Sequence, residues 1–234
     1  MISVFESWRN RAFVVCGWRR VFFVFLLGAF STLALPPVHF IPALIPSFVG
    51  LIWLLDGSAK KLREKTGYHL KNFSVNGPFA TGWWFGLGFF VAGLYWISFS
   101  FLVDTQSFGW MMPIAIFGLS AVFAIYIGLV TFLAYNLSQP GPRRVIYVIL
   151  FWVIFEWLRG WLFTGFPWNL LGSVWVFNDQ IMQFASVFGV LGLSLLTIGV
   201  ASAFSFLGYA DKSFRFKIIG VSIPLVLLAI IWTS

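Results

Sequence analysis

Charge is what this chain of 234 residues has least of: Asp, Glu, Lys and Arg together make up 9% of it, against about a quarter of a soluble globular domain. So few polar side chains cannot clothe a water-soluble fold when 60% of the residues are hydrophobic and the mean hydropathy is +0.94. Cysteine is almost missing as well. Cys16 stands alone, which excludes an internal disulfide framework and a metal site built from paired thiols. The sequence also has no Ser, His and Asp arrangement for nucleophilic catalysis, no glycine-rich phosphate loop, no cluster with metal-ligand spacing, no repeat and no low-complexity segment. No cofactor is expected.

Aromatic residues are abundant instead, 21% of the chain with 30 Phe and 13 Trp. Large rings serve best where apolar packing meets a wet polar boundary. Apolar runs cover residues 21–35, 40–55, 79–103, 113–137, 145–163, 181–209 and 218–232, each near the roughly 20 residues that cross about 30 Å of hydrocarbon. They predict an all-α polytopic membrane bundle of about seven helices, one transmembrane domain over residues 1–234. The first run follows Arg19 and Arg20 and contains small residues, as the core of a signal peptide would. A second run starts directly after Pro36 and Pro37, so two spans joined by a proline turn fit better. Gly82 and Gly86, Ala185 and Gly189, and Gly199 and Ala203 stand four apart, a spacing that lets backbones meet in lipid, although glycine is common in membrane helices in any case.

The net charge of +8 raises the question of nucleic acid, but the basic residues fall in short clusters between apolar runs, so no such partner is expected. Fourteen of the 15 lie on one side of the seven-span arrangement: Arg9, Arg11, Arg19 and Arg20, then Lys60, Lys61, Arg63, Lys65 and Lys71, then Arg143 and Arg144, then Lys212, Arg215 and Lys217. By the positive-inside rule the N-terminus is cytoplasmic, and seven crossings put the C-terminus on the outer face.

The fifteenth, Arg159, lies inside the fifth run, three residues after Glu156. A charge deep in a bilayer costs about 2.5–3.5 kcal/mol on insertion scales. At i and i+3 the two side chains share a helix face and can pair with each other. Trp152, Glu156, Arg159 and Phe163 then form one stripe, expected to face protein or a water-filled cavity. Two readings fit, a clip between helices or a polar site in the outer half of the membrane. The segment 164–180 is too apolar for a solvated loop and is interrupted by Gly165, Pro167 and Gly172. It is expected to dip into the outer leaflet, with Trp168 and Trp175 at headgroup level. Asn169, Glu156 and Arg159 would then line the mouth of a lipid-facing site, where a planar guanidinium suits a phosphate. His39, Asp104 and Asp179 read more simply as interfacial or solvated loop residues.

The run Glu156-Trp157-Leu158-Arg159-Gly160-Trp161, followed by Thr164-Gly165-Phe166-Pro167-Trp168-Asn169, resembles the apolipoprotein N-acyltransferase family. So do Trp83, Gly86, Gly88, Gly93 and Trp96 in the third run, and Leu33-Ala34-Leu35-Pro36-Pro37 in the first turn, so the resemblance covers nearly the whole chain. It implies a bacterial inner-membrane enzyme that moves an acyl chain from a phospholipid, such as phosphatidylethanolamine, to the amino group of the S-diacylglyceryl cysteine of an apolipoprotein. It also implies a nitrilase-like domain after the seventh span, outside the membrane, whose Glu-Lys-Cys triad forms a thioester acyl-enzyme. That domain is not within these residues, and Cys16 lies at the cytoplasmic end. The resemblance therefore predicts a lipid-binding scaffold from a truncated, incomplete or split enzyme, with no catalytic residue of its own. Its candidate lipid-binding residues are Trp96, Glu156, Arg159, Trp161, Phe166, Pro167, Trp168 and Asn169. Its expected partners are a phospholipid donor, a lipoprotein acceptor and a separately encoded nitrilase-like domain. A small transporter or proton relay centred on Glu156 and a non-functional remnant are the alternatives.

Overall fold

The computed structural model describes residues 2–65 and 77–233, so Lys71 and the rest of segment 66–76 lie outside the described residues. Regular structure among those residues is helical: α1 Ile2–Val14, α2 Gly17–Ser31, α3 Leu44–Lys65, α4 Pro78–Gly93, α5 Thr105–Phe108, α6 Met111–Leu137, α7 Pro142–Arg159, α8 Asp179–Ala203 and α9 Phe214–Thr233. Short 3-10 helices at Tyr95–Leu102, Leu162–Thr164, Leu171–Trp175 and Phe204–Gly208 fill several of the connections. The chain is an all-α polytopic membrane bundle. Five helical stretches are long and apolar enough to cross a bilayer, and six if α4 and Tyr95–Leu102, bent by 46°, make one crossing. The expected count was seven. The difference is α7, whose 18 residues include Arg143, Arg144, Glu156 and Arg159.

The core is aromatic. Trp152 of α7 meets Phe48 of α3 at 4.9 Å between ring centroids and Phe85 of α4 at 6.1 Å. Glycines set the closest helix contacts. A Cβ on Gly28 of α2 would run into the backbone of Phe85, and one on Gly88 of α4 into the backbone of Phe25, so α2 and α4 touch through a reciprocal pair of bare backbones. On the other side of α4, Gly82 and Gly86 meet Thr131, Ile127 and Ala124 of α6, so this pair does mark a packing face. The pairs in α8 do not behave so: Gly199 faces open space, and Gly189, at φ +69°, breaks the helix with nothing near it. Gly88→Val is expected to cost about 1–3 kcal/mol through overpacking, read as a lower unfolding midpoint of the detergent-solubilised chain.

One end of the bundle gathers basic residues, but not as solvated loop charges. The expected polar stretch from residue 56 begins inside α3, where Asp56 is 2% exposed. Asp56 pairs with Arg144 of α7 at 3.0 Å and with Arg9 of α1 at 3.5 Å, and accepts a hydrogen bond from the Tyr209 hydroxyl at 3.2 Å. Arg144, 1% exposed, also donates to the Ser138 carbonyl at 2.8 Å and lies over the Tyr135 ring. Arg20 is buried too, donating to the Leu54 carbonyl, Ser58 and Thr81. Lys217 of α9 pairs with Glu6 of α1 at 2.8 Å. Arg9, Arg20, Arg144 and Lys217 thus share one end, as their spacing predicted, while their role there is to fasten helices. At the far end Asp104 is exposed and caps α5, accepting the Ser107 N–H at 3.1 Å, which holds its carboxyl below the usual range.

Candidate functional site

The helix expected to reach residue 163 stops at Arg159, capped by Gly160, and the chain reverses through Gly165 at φ +80°. Phe163 therefore leaves the stripe shared by Trp152, Glu156 and Arg159 and is 88% exposed. The returning segment is irregular backbone inside a membrane bundle, which survives only where its polar groups find partners. They do. Arg159 accepts the Phe166 N–H on its carbonyl and donates from its guanidinium to the Trp168 carbonyl at 2.7 Å. Glu156 Oε1 accepts the Leu171 N–H at 3.0 Å and the Trp152 indole N–H at 3.1 Å. Further along, the Gly172 N–H donates to Ser194 at 2.8 Å, and the Val174 carbonyl lies 3.3 Å from His39 Nδ1.

Glu156 and Arg159 are 6% and 3% exposed, and none of the described ion pairs joins them. The expected direct pairing is not formed, because each side chain is turned to a different part of the same loop. The Arg159 guanidinium also stacks over Phe90 at 5.0 Å from the ring centroid. The two charges border a void of about 10 Å³ with Phe89, Tyr126 and Trp152. They stand behind the loop rather than at a mouth.

What the loop presents on its other side is a cavity of about 620 Å³. Trp96, Trp168 and Asn169 line it, opposite Leu33 and the cis Pro36-Pro37 turn. Trp96 and Trp168 face each other at 5.5 Å between centroids. Phe166 lies under them, stacked on Phe123 at 4.4 Å. Asn169 sits in the left-handed region at φ 56°, and its side-chain amide nitrogen packs against Gly93 with no hydrogen-bond partner among the described residues. Trp161 and Pro167 are exposed and do not line this cavity. Trp175, expected at headgroup level, is instead buried with its indole N–H on Thr197 at 2.8 Å. The Pro turn and Tyr95 are wall residues that site reasoning missed. Two adjacent prolines at the end of an apolar run were a signal for the first, and nothing in the spacing marks the second.

A helical bundle of apolar spans with a braced irregular loop over an aromatic cavity defines a polytopic membrane protein. A family model described as the apolipoprotein N-acyltransferase N-terminal domain matches residues 27–203, and the chain belongs to that family. The apolipoprotein N-acyltransferase of Rhizobium rhizogenes is 40% identical over 203 residues, covering 87% of this chain and 37% of the relative. That of Rhodopseudomonas palustris is 41% identical over 184 residues, 79% of this chain and 33% of the relative. That of Brucella suis is 37% identical over 194 residues, with 83% and 36% covered. The chain spans about a third of the length of the curated relatives it matches.

Proposed function

We propose that this chain is the lipid-binding membrane domain of an apolipoprotein N-acyltransferase of the bacterial inner membrane, with its N-terminus in the cytoplasm and its C-terminus in the periplasm. In this reading a nitrilase-like catalytic domain acts with it, taking an acyl chain from a phospholipid and placing it on the N-terminal S-diacylglyceryl cysteine of a lipoprotein. The supporting observation is the cavity of about 620 Å³ walled by Trp96, Trp168 and Asn169. Indole faces accept acyl chains. For Arg159 the geometry favours orienting the loop over the phosphate contact expected from the sequence, since its guanidinium donates to the Trp168 carbonyl.

The test is acylation of a lipoprotein N-terminus, measured by mass spectrometry, in cells that express this chain together with a nitrilase-like domain. Trp168→Ala is expected to lower the acylated fraction about tenfold, in proportion to the loss of ~1–1.5 kcal/mol of ring contact. A product level untouched by Trp168→Ala, or no product with any nitrilase-like partner, would sink the reading.

A further inference from the structure

At the basic end, away from the Trp96 and Trp168 cavity, α1 packs on α3 and the Phe204–Gly208 turn and roofs a groove of about 430 Å³ that α2 closes with Phe23 and Leu27. That volume is in the ~300–1,000 Å³ range of ligand pockets. The two sides of α1 have different tasks. Glu6 and Arg9 fasten the helix to Lys217 and Asp56. Phe5, Trp8 and Ala12, which recur at helical spacing, turn to the groove, joined by Val15 just past the end of the helix. Its floor is made by Leu27 of α2 and Ile45, Val49 and Trp53 of α3. Among the described residues on this wall Arg11 alone is charged. It is exposed and takes part in none of the described ion pairs, whereas Arg9 and Lys217 nearby are already committed.

We propose that this groove holds one acyl chain of an anionic phospholipid from the leaflet at the basic end, with the lipid phosphate on Arg11. The chemistry of the wall selects the occupant. An apolar slot of this size takes a hydrocarbon chain. A guanidinium at its rim makes a bidentate bond to phosphate. Trp8, half-exposed beside it, places an indole at the depth where headgroups begin. With Arg9 and Lys217 neutralised by Asp56 and Glu6, Arg11 is the cation on this wall that favours anionic over zwitterionic headgroups.

The experiment is native mass spectrometry of the whole chain in detergent, titrated with phosphatidylglycerol and with phosphatidylcholine of the same chain length. Phosphatidylglycerol is expected to be retained about fivefold better, the contribution of one interfacial cation, and Arg11→Gln to erase that preference. Arg215→Gln, a change at an exposed cation away from the groove, is expected to leave it intact. Ala12→Phe, which fills the groove from its roof, is expected to weaken both lipids at an unchanged unfolding midpoint. Equal binding of the two lipids, an unchanged preference in Arg11→Gln, the same loss in Arg215→Gln, or full binding in Ala12→Phe would each overturn the proposal.

Discussion

Replacing Asp56 with Asn lowers the stability of the bundle by about 3–5 kcal/mol, the penalty for leaving a buried charge without its partner. The carboxylate is enclosed and answers two arginines and a tyrosine hydroxyl, from α1, α7 and the segment after α8. Asn keeps the volume and one acceptor but removes the negative charge. Arg144 then remains buried with only neutral partners to offset its desolvation, the amide oxygen, the Tyr135 and Ser138 carbonyls, the Ser138 hydroxyl and the Tyr135 ring. The measurement is a thermal or denaturant unfolding midpoint of the detergent-solubilised protein. A double variant, Asp56→Leu with Arg144→Met, separates the causes. Replacing both members of a buried pair with apolar groups is often neutral or better, so the double variant should recover most of what Asp56→Asn loses. If Asp56→Asn were nearly silent, the junction would not be holding α1 to the bundle.

The second large effect is expected at Glu156. Glu156→Ala orphans two buried donors, the Leu171 N–H and the Trp152 indole, at about 1–3 kcal/mol each, or about 2–6 kcal/mol together. Much of that cost should fall locally, because Leu171 begins the 3-10 turn that follows the cavity-lining residues Trp168 and Asn169. Hydrogen exchange at the Leu171 amide should quicken by more than tenfold, with amides of α3 and α4 little changed. Glu156→Gln keeps an acceptor oxygen and should fall between the two. Uniform exchange across all helices in Glu156→Ala would show that the carboxylate supports the bundle at large and not the loop.

The helices were legible because apolar runs of membrane length have few other folds open to them, and the basic clusters marked which connections share an end. Two kinds of detail were not. The first is that several of those same basic residues are buried structural partners: nothing in the local sequence around Arg9, Asp56 or Arg144 distinguishes a solvated charge from one that meets a helix more than 80 residues away. The second is the end of α7. Its apolar pattern runs on to residue 163, but Gly160 and Gly165 let the chain reverse earlier, and this turned the expected Glu156 and Arg159 pair into two separate braces. Of the motif residues, Trp96, Trp168 and Asn169 come together around the cavity because α4 bends where it does and Asn169 takes a left-handed backbone. Neither event has a signature in residue spacing.

The junction at Asp56 also bears on the order in which the protein is assembled. Arg9 reaches residues near position 208, and Glu6 reaches Lys217, 211 positions further along. A ribosome releases the chain from one end, so of the contacts of α1 the Arg9 pair with Asp56 can form early, while those with Gly208 and Lys217 wait for α8 and α9. α1 is thus secured in two stages, held by one ion pair while α4 to α8 are still being added and clasped fully only when α9 follows.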